Sequence, residues 1–167
     1  MRTKKLAVLA MLTAMSLVIF MIEAQLPPLA PIPGIKLGLA NIVTLITMAK
    51  LGRREAFLVL ILRILLGSVF AGHMMSLMYS LAGGVLCFCV MAMLTGSKLP
   101  VWVVSVFGAT AHNIGQVAVA VAVTRLGQIT AFLPLLLVSA IVTGTFTGCV
   151  AAAIINNKRM WRGIDEN

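Results

Sequence analysis

The sequence predicts an all-α integral membrane bundle of six transmembrane helices with both termini in the cytoplasm, and three observations carry that prediction. Of the 167 residues 61% are hydrophobic and only 10% are charged, against about 25% charged in a soluble domain. Six apolar runs follow one another along the chain, and a helix needs ~20 residues, at ~1.5 Å each, to cross ~30 Å of hydrocarbon. Nearly all the basic residues stand at the ends of these runs and fall on one side of the membrane. No long aqueous segment interrupts the series, so residues 1–167 read as a single transmembrane domain with 156–167 as a cytoplasmic tail.

The first run, Leu6 to Ala24, follows the basic start MRTKK. A cleaved signal peptide is the alternative for that start, but no small-x-small site follows, and its removal would leave an odd number of spans. Within the run Ala10 and Ala14 form an AxxxA step, with Ala7 one turn earlier. Small residues four apart let another helix approach closely, either in the same bundle or from a partner membrane protein.

Next comes LPPLAPIPGIKLGLAN, residues 26–41, which holds four of the six prolines and leads Lys36 and Asn41 into the second run, Leu37 to Leu51. That run covers only ~22 Å, so the loop before it is expected to dip toward the core or cap a cavity. Asn41, Thr44 and Thr47 make a polar stripe along it. Thr can bond back to its own helix, which leaves Asn41 as the firmer candidate. The third run, Ala56 to Ala71, carries Arg63 at its middle, where an unpaired Arg costs ~2.5 to 3.5 kcal/mol. Arg63 therefore faces a ligand or a wet cavity, or else latches to Glu23.

The fourth run, Met74 to Leu94, holds Met74, Met75, Met78, Met91 and Met93 together with Cys87 and Cys89. The thioethers read as gap fillers, and the two cysteines point to opposite helix faces, so they cannot chelate together. In the fifth run, Val101 to Val123, His112 and Gln116 share a face with Asn113 one step aside, beside the small residues Gly108, Ala111 and Gly115. The sixth, Ile129 to Ile155, repeats small residues at Ala140, Gly144, Gly148 and Ala152. This stripe packs within the bundle or forms a subunit interface.

With the N-terminus inside, Arg2, Lys4, Lys5, Lys50, Arg53, Arg54, Lys98, Lys158, Arg159 and Arg162 are cytoplasmic and only Lys36 and Arg125 lie outside. Trp102 and Trp161 then fall at the cytoplasmic interface. The net charge of +9 is scattered over segment ends, unlike the basic face that nucleic acid requires, so no nucleic-acid partner is expected. Glu23, Gln25, Lys36, Asn41, His73 and Tyr79 occupy the outer half, with Arg63 and the His112 patch beneath. Lys36, Asn41, Arg63, His112, Asn113 and Gln116 are the candidate ligand-binding set, a mostly apolar pocket with converging polar groups. The two cations favour a carboxylate or phosphate on a small solute. No Walker loop is present, Asp165 is the only aspartate, and no nucleophile with its base emerges. No catalytic residue, metal site or cofactor is expected.

The segment PGIKLGLANIVTL, the later HNIGQ, the AxxxA step and the six short spans resemble the Gx transporter family, labelled heptaprenyl diphosphate synthase component I, and through it the S components of energy-coupling-factor (ECF) transporters. The resemblance implies a multi-pass protein of the bacterial plasma membrane that captures a micronutrient-like solute outside. A separate transmembrane coupling subunit and ATPase subunits would supply the energy. Ala10 and Ala14 would contact the coupling subunit, and the loop from Gln25 to Gly34 would act as a lid. The aspartate-rich motifs of prenyl synthases are absent from this chain. The alternative is an accessory subunit of flavin- or quinone-linked electron transfer or of isoprenoid metabolism.

Overall fold

The structure, a computed structural model, describes residues 2–26, 36–71, 74–157 and Trp161. The helices are α1 (Arg2–Ala24), α2 (Asn41–Lys50), α3 (Arg53–Ala71), α4 (Met74–Leu94), α5 (Val101–Thr124) and α6 (Leu133–Asn156), with a 3₁₀ turn at Gly127–Phe132 before α6. The described residues contain no β-strand. Backbone groups in an apolar medium must be satisfied within their own segment, and the helix does this at every interior residue.

Among the described residues, four helices are long and apolar enough to cross a membrane: α1, α4, α5, and α6 together with its preceding turn. The two others fall short for different reasons. α2 has 10 residues, about 15 Å at the helical rise, and its first turn begins only after the irregular stretch Lys36–Ala40. α3 has 19 residues but carries Arg53, Arg54, Glu55 and Arg63. The second run of the sequence thus contributes a half-length helix preceded by non-helical backbone, in keeping with its shortness.

The two sides of the bundle pack differently. Between α4 and α5, a Cβ on Gly115 would lie 2.8 Å from the Ala82 carbonyl oxygen, and one on Gly83 would lie 2.8 Å from the carbonyl oxygen of His112. Between α5 and α6, a Cβ on Gly144 would lie 2.7 Å from Val106 Cα, and one on Gly148 would overlap the Trp102 backbone. These backbones touch, and Ser105 and Thr147 add a hydroxyl bond of 3.0 Å across the same seam. The stripe on α6 therefore packs within the bundle. Its last fully buried member is Gly148; at the next turn Ala151 is buried and Ala152 is turned partly outward, because a 3.6-residue turn drifts against a strict four-residue repeat.

The α1 and α3 side meets through longer side chains and leaves an open apolar groove of about 460 Å³ lined by Leu6, Leu9, Ala10, Thr13, Ala14, Leu17, Leu58, Leu62 and Leu66. Ala10 and Ala14 are exposed in it, so their step is not used to pack a neighbour within this chain.

One end of the bundle gathers the basic segment ends. Lys5 pairs with Glu55, Arg53 donates to the Thr95 carbonyl at 3.3 Å, and the Lys50 ammonium lies 5.4 Å from the Trp161 ring centroid. Trp161 donates its indole N–H to the Ile154 carbonyl at 2.9 Å and is buried in a core cluster with Met91, Val104 and Ala151. Its indole therefore sits in the protein interior rather than on a lipid-facing surface. Trp102 is 46% exposed. Cys87 is buried while Cys89 and Cys149 are exposed.

Candidate functional site

The polar residues of the opposite half collect around the segment Lys36–Gly38, which is clipped from two sides. Its Lys36 backbone N–H donates to Gln116 Oε1 at 2.9 Å, and its Gly38 N–H donates to the Glu23 carboxylate. Gly38 has φ +81, and a Cβ there would stand 2.7 Å from His112 Cδ2. Both the left-handed backbone and the ring contact require glycine. The clip holds this segment against α1 on one side and α5 on the other, and thereby sets where α2 begins.

The two cations of this half share one aromatic ring. Lys36 Nζ lies 3.5 Å from the Phe20 centroid and donates to Ser76 Oγ at 3.3 Å. The Arg63 guanidinium carbon is 6.0 Å from the same centroid, a cation–π arrangement in a desolvated setting. Phe20 precedes Glu23 by three residues on α1, so ring and carboxylate face the same way. Lys36 sits in the connector before α2. Burial brings its ammonium from the ordinary lysine range down to about 8, against the upward pull of Glu23 and with a further lowering by Arg63.

Arg63 is 2% exposed. Its Nη2 donates to Asn41 Oδ1 at 3.2 Å, while the Glu23 carboxylate serves the Gly38 amide. The direct latch between Arg63 and Glu23, one of the two options open in the sequence, is therefore not the arrangement found, although the two remain within electrostatic reach. Among the described residues, several buried polar atoms have no partner: Arg63 Nε, Asn41 Nδ2, Thr44 Oγ1, His112 Nδ1 and Asn113 Oδ1. Thr47, by contrast, donates to the Val43 carbonyl at 2.6 Å. Of the two threonines on the stripe, only Thr44 is left with an unused hydroxyl.

On α5, Gln116 Nε2 faces His112 Nε2, and both side chains are buried. The Gln116 oxygen already accepts from Lys36 N–H, so its NH₂ group must point at the ring and His112 Nε2 must accept. The imidazole proton then resides on Nδ1, and the ring is neutral.

Five of the six candidate residues thus form one cluster: Lys36, Asn41, Arg63, His112 and Gln116. Asn113 points elsewhere. It donates to the Leu136 carbonyl of α6 at 2.6 Å, because one residue on a helix is a rotation of about 100°. Tyr79 packs with Val117, Ala120, Ile129 and Leu136 in a separate apolar cluster, and Gln25 bonds back to the Met21 carbonyl. His73 and residues 27–34 of the lid loop lie outside the described residues. The cluster also contains residues that the sequence did not single out: Phe20, Gly38 and Ser76. Phe20 was legible only through its three-residue spacing from Glu23, and Gly38 and Ser76 gave no signal. Among the described residues no group of three or more His, Cys, Asp or Glu side chains is placed to hold a metal ion.

The chain belongs to the heptaprenyl diphosphate synthase component I family, whose model matches residues 12–154. No curated protein and no solved structure gives a significant match.

Proposed function

We propose that this membrane protein is the non-enzymatic, solute-binding subunit of an ECF-type importer, resembling an S component, for a small anionic micronutrient or metabolite. In this proposal six segments cross the bacterial plasma membrane with both termini in the cytoplasm. Residues 37–51 form the short second crossing, with Lys36 at its outer entrance, and α3 is admitted because Arg63 faces inward. The observation that carries the reading is the convergence of Lys36 and Arg63 with unpartnered buried donors, in a protein whose surface is otherwise apolar. Buried polar atoms are costly when unpaired, so a cluster of them suits a polar ligand that completes their bonds. Lys36, Asn41, Arg63, His112 and Gln116 hold the solute, with Asn113 setting the angle of α5 against α6. The groove containing Ala10 and Ala14 receives the transmembrane coupling subunit, which works with ATPase subunits.

The test is copurification from the native membrane. An importer subunit brings down a transmembrane coupling protein and ATPases, and Arg63→Ala abolishes solute binding while leaving expression intact. Unaltered binding by that variant removes the assignment. A second reading is favoured by the family description, which names a component of a prenyl diphosphate synthase: an accessory membrane subunit in isoprenoid or flavin- and quinone-linked metabolism. Copurification of prenyl-transfer, flavoprotein or quinone enzymes in place of ATPases would select it.

A further inference from the structure

Among the described residues, the ionisable groups around Phe20 are unevenly matched in charge. Glu23 and Arg63 are 4% and 2% exposed, and Lys36 is partly buried. Both cations lie against the Phe20 ring, and Glu23 is within electrostatic reach of each. His112 contributes no charge, since its Nε2 accepts from Gln116. Cys87, buried near Arg63 as a free thiol, contributes none either. Glu23 accepts the Gly38 amide beside two cations, which favours its carboxylate form against the cost of its burial. Two positive charges and one negative charge therefore share a poorly solvated interior, and one positive charge is left over.

We infer that the site is matched to a ligand group bearing a single negative charge, a carboxylate or other monoanion, with Glu23 as the residue that excludes dianions. The inference rests on the solute-binding reading above and specifies its ligand. A monoanion brings the interior to neutrality, whereas a dianion or diphosphate leaves a net negative charge beside Glu23, where low dielectric makes repulsion strong. The unused hydrogen-bonding atoms agree with this. Arg63 Nε and Asn41 Nδ2 are donors, and the Thr44 hydroxyl is free to donate. Asn41 cannot offer its oxygen to a ligand because Arg63 already occupies it. Arg63 Nε and Asn41 Nδ2 can only donate and the Thr44 hydroxyl can donate as well, an arrangement that suits an acceptor-only group.

The probes are propionate and malonate, similar in size and differing in charge, titrated at matched ionic strength against the full chain in nanodiscs with thermal unfolding as the readout. Propionate is expected to raise the midpoint and malonate to do so at least about tenfold more weakly in concentration. Glu23→Gln retains an oxygen for the Gly38 amide but removes the negative charge, and is expected to reverse the order. A wild type that prefers malonate, that responds to neither anion, or whose order is unchanged in Glu23→Gln overturns the inference. Should Glu23→Gln fail to fold, Lys36→Met decides. It lowers the count to one cation and one acid, so the propionate response is expected to vanish, and its persistence refutes the charge match. Copurification is read separately. A propionate preference without ATPase partners removes the importer and leaves the charge match. ATPase partners with a malonate preference do the reverse.

Discussion

Helices α4, α5 and α6 meet backbone to backbone, whereas α1, α2 and α3 meet through side chains and enclose unpartnered polar atoms. On the first side Gly83, Gly115, Gly144 and Gly148 lie against facing main chain. On the second, α2 is ten residues long, the small residues Ala10 and Ala14 face an open groove, and Arg63 has a single amide as its hydrogen-bond partner. The contrast separates a closely packed side from a looser one. Close helix contact in lipid depends on small residues that let backbones approach, and the α4–α5–α6 side has spent its share on rigidity. The α1–α2–α3 side leaves Ala10 and Ala14 exposed in a groove, and the Asn41, Arg63 and Thr44 donors without partners among the described residues.

Inserting bulk tests that contrast most severely. Gly148→Leu is expected to cost more than the ~1–3 kcal/mol of ordinary overpacking, because the obstruction is the Trp102 backbone rather than a side chain that can turn away. A broad or absent monodisperse peak in size-exclusion chromatography would register it. A well-folded Gly148→Leu protein would mean that the two sides are not packed differently after all.

The proposed solute binding should depend on pH through the connector. With the Lys36 ammonium brought to about 8 by burial, the cation is present below that value and is lost as pH rises through it. Anion binding should therefore be full near pH 6.5 and fall several-fold by pH 9. An ordinary lysine would hold it flat to about pH 10. Binding by isothermal titration across this window distinguishes the two, and a flat profile would show that Lys36 takes no part.

The same bulky residue used on the closely packed side should be tolerated on the other. Ala14→Leu, alone or with Ala10→Leu, projects into the groove and is expected to change thermal stability by no more than about 0.5 kcal/mol. It should nevertheless abolish copurification of the proposed coupling subunit. A destabilised Ala14→Leu protein would assign the groove to internal packing. The smallest effect is expected at the Lys5–Glu55 pair, whose side chains are 50% and 21% exposed. Lys5→Ala should lower stability by at most about 1 kcal/mol, and a larger loss in chemical denaturation would make the basic end a structural clamp in its own right.

Much of this division was legible in the chain. α4 begins and ends where hydropathy places it, and α5 ends one residue beyond, since hydrophobic length and the flanking polar residues are local properties. Lys36, Asn41, Arg63, His112 and Gln116 were selected by the cost of polar groups at depth, and they converge. The role of Asn113 was not legible: it shares composition and neighbourhood with His112, and only the rotational setting of α5 turns it onto α6. Glu23 was considered as a partner for Arg63 and instead holds the Gly38 amide, a choice made by the path of a connector that periodicity does not describe. The exposed state of Ala10 and Ala14 was one of two readings left open by their spacing.

The sequence by itself determined that the chain is helical and apolar along its length, and which side chains would be too polar to face lipid, because transfer free energy depends on residue type and on backbone satisfaction within one segment. The tertiary structure alone decided which of those side chains meet. It set two cations and one carboxylate around Phe20, left the donors of Asn41, Arg63 and Thr44 without partners, and opened a groove beside Ala10 and Ala14. Such pairings turn on helix rotation and on one left-handed glycine, and these are settled by the packing of all the helices together.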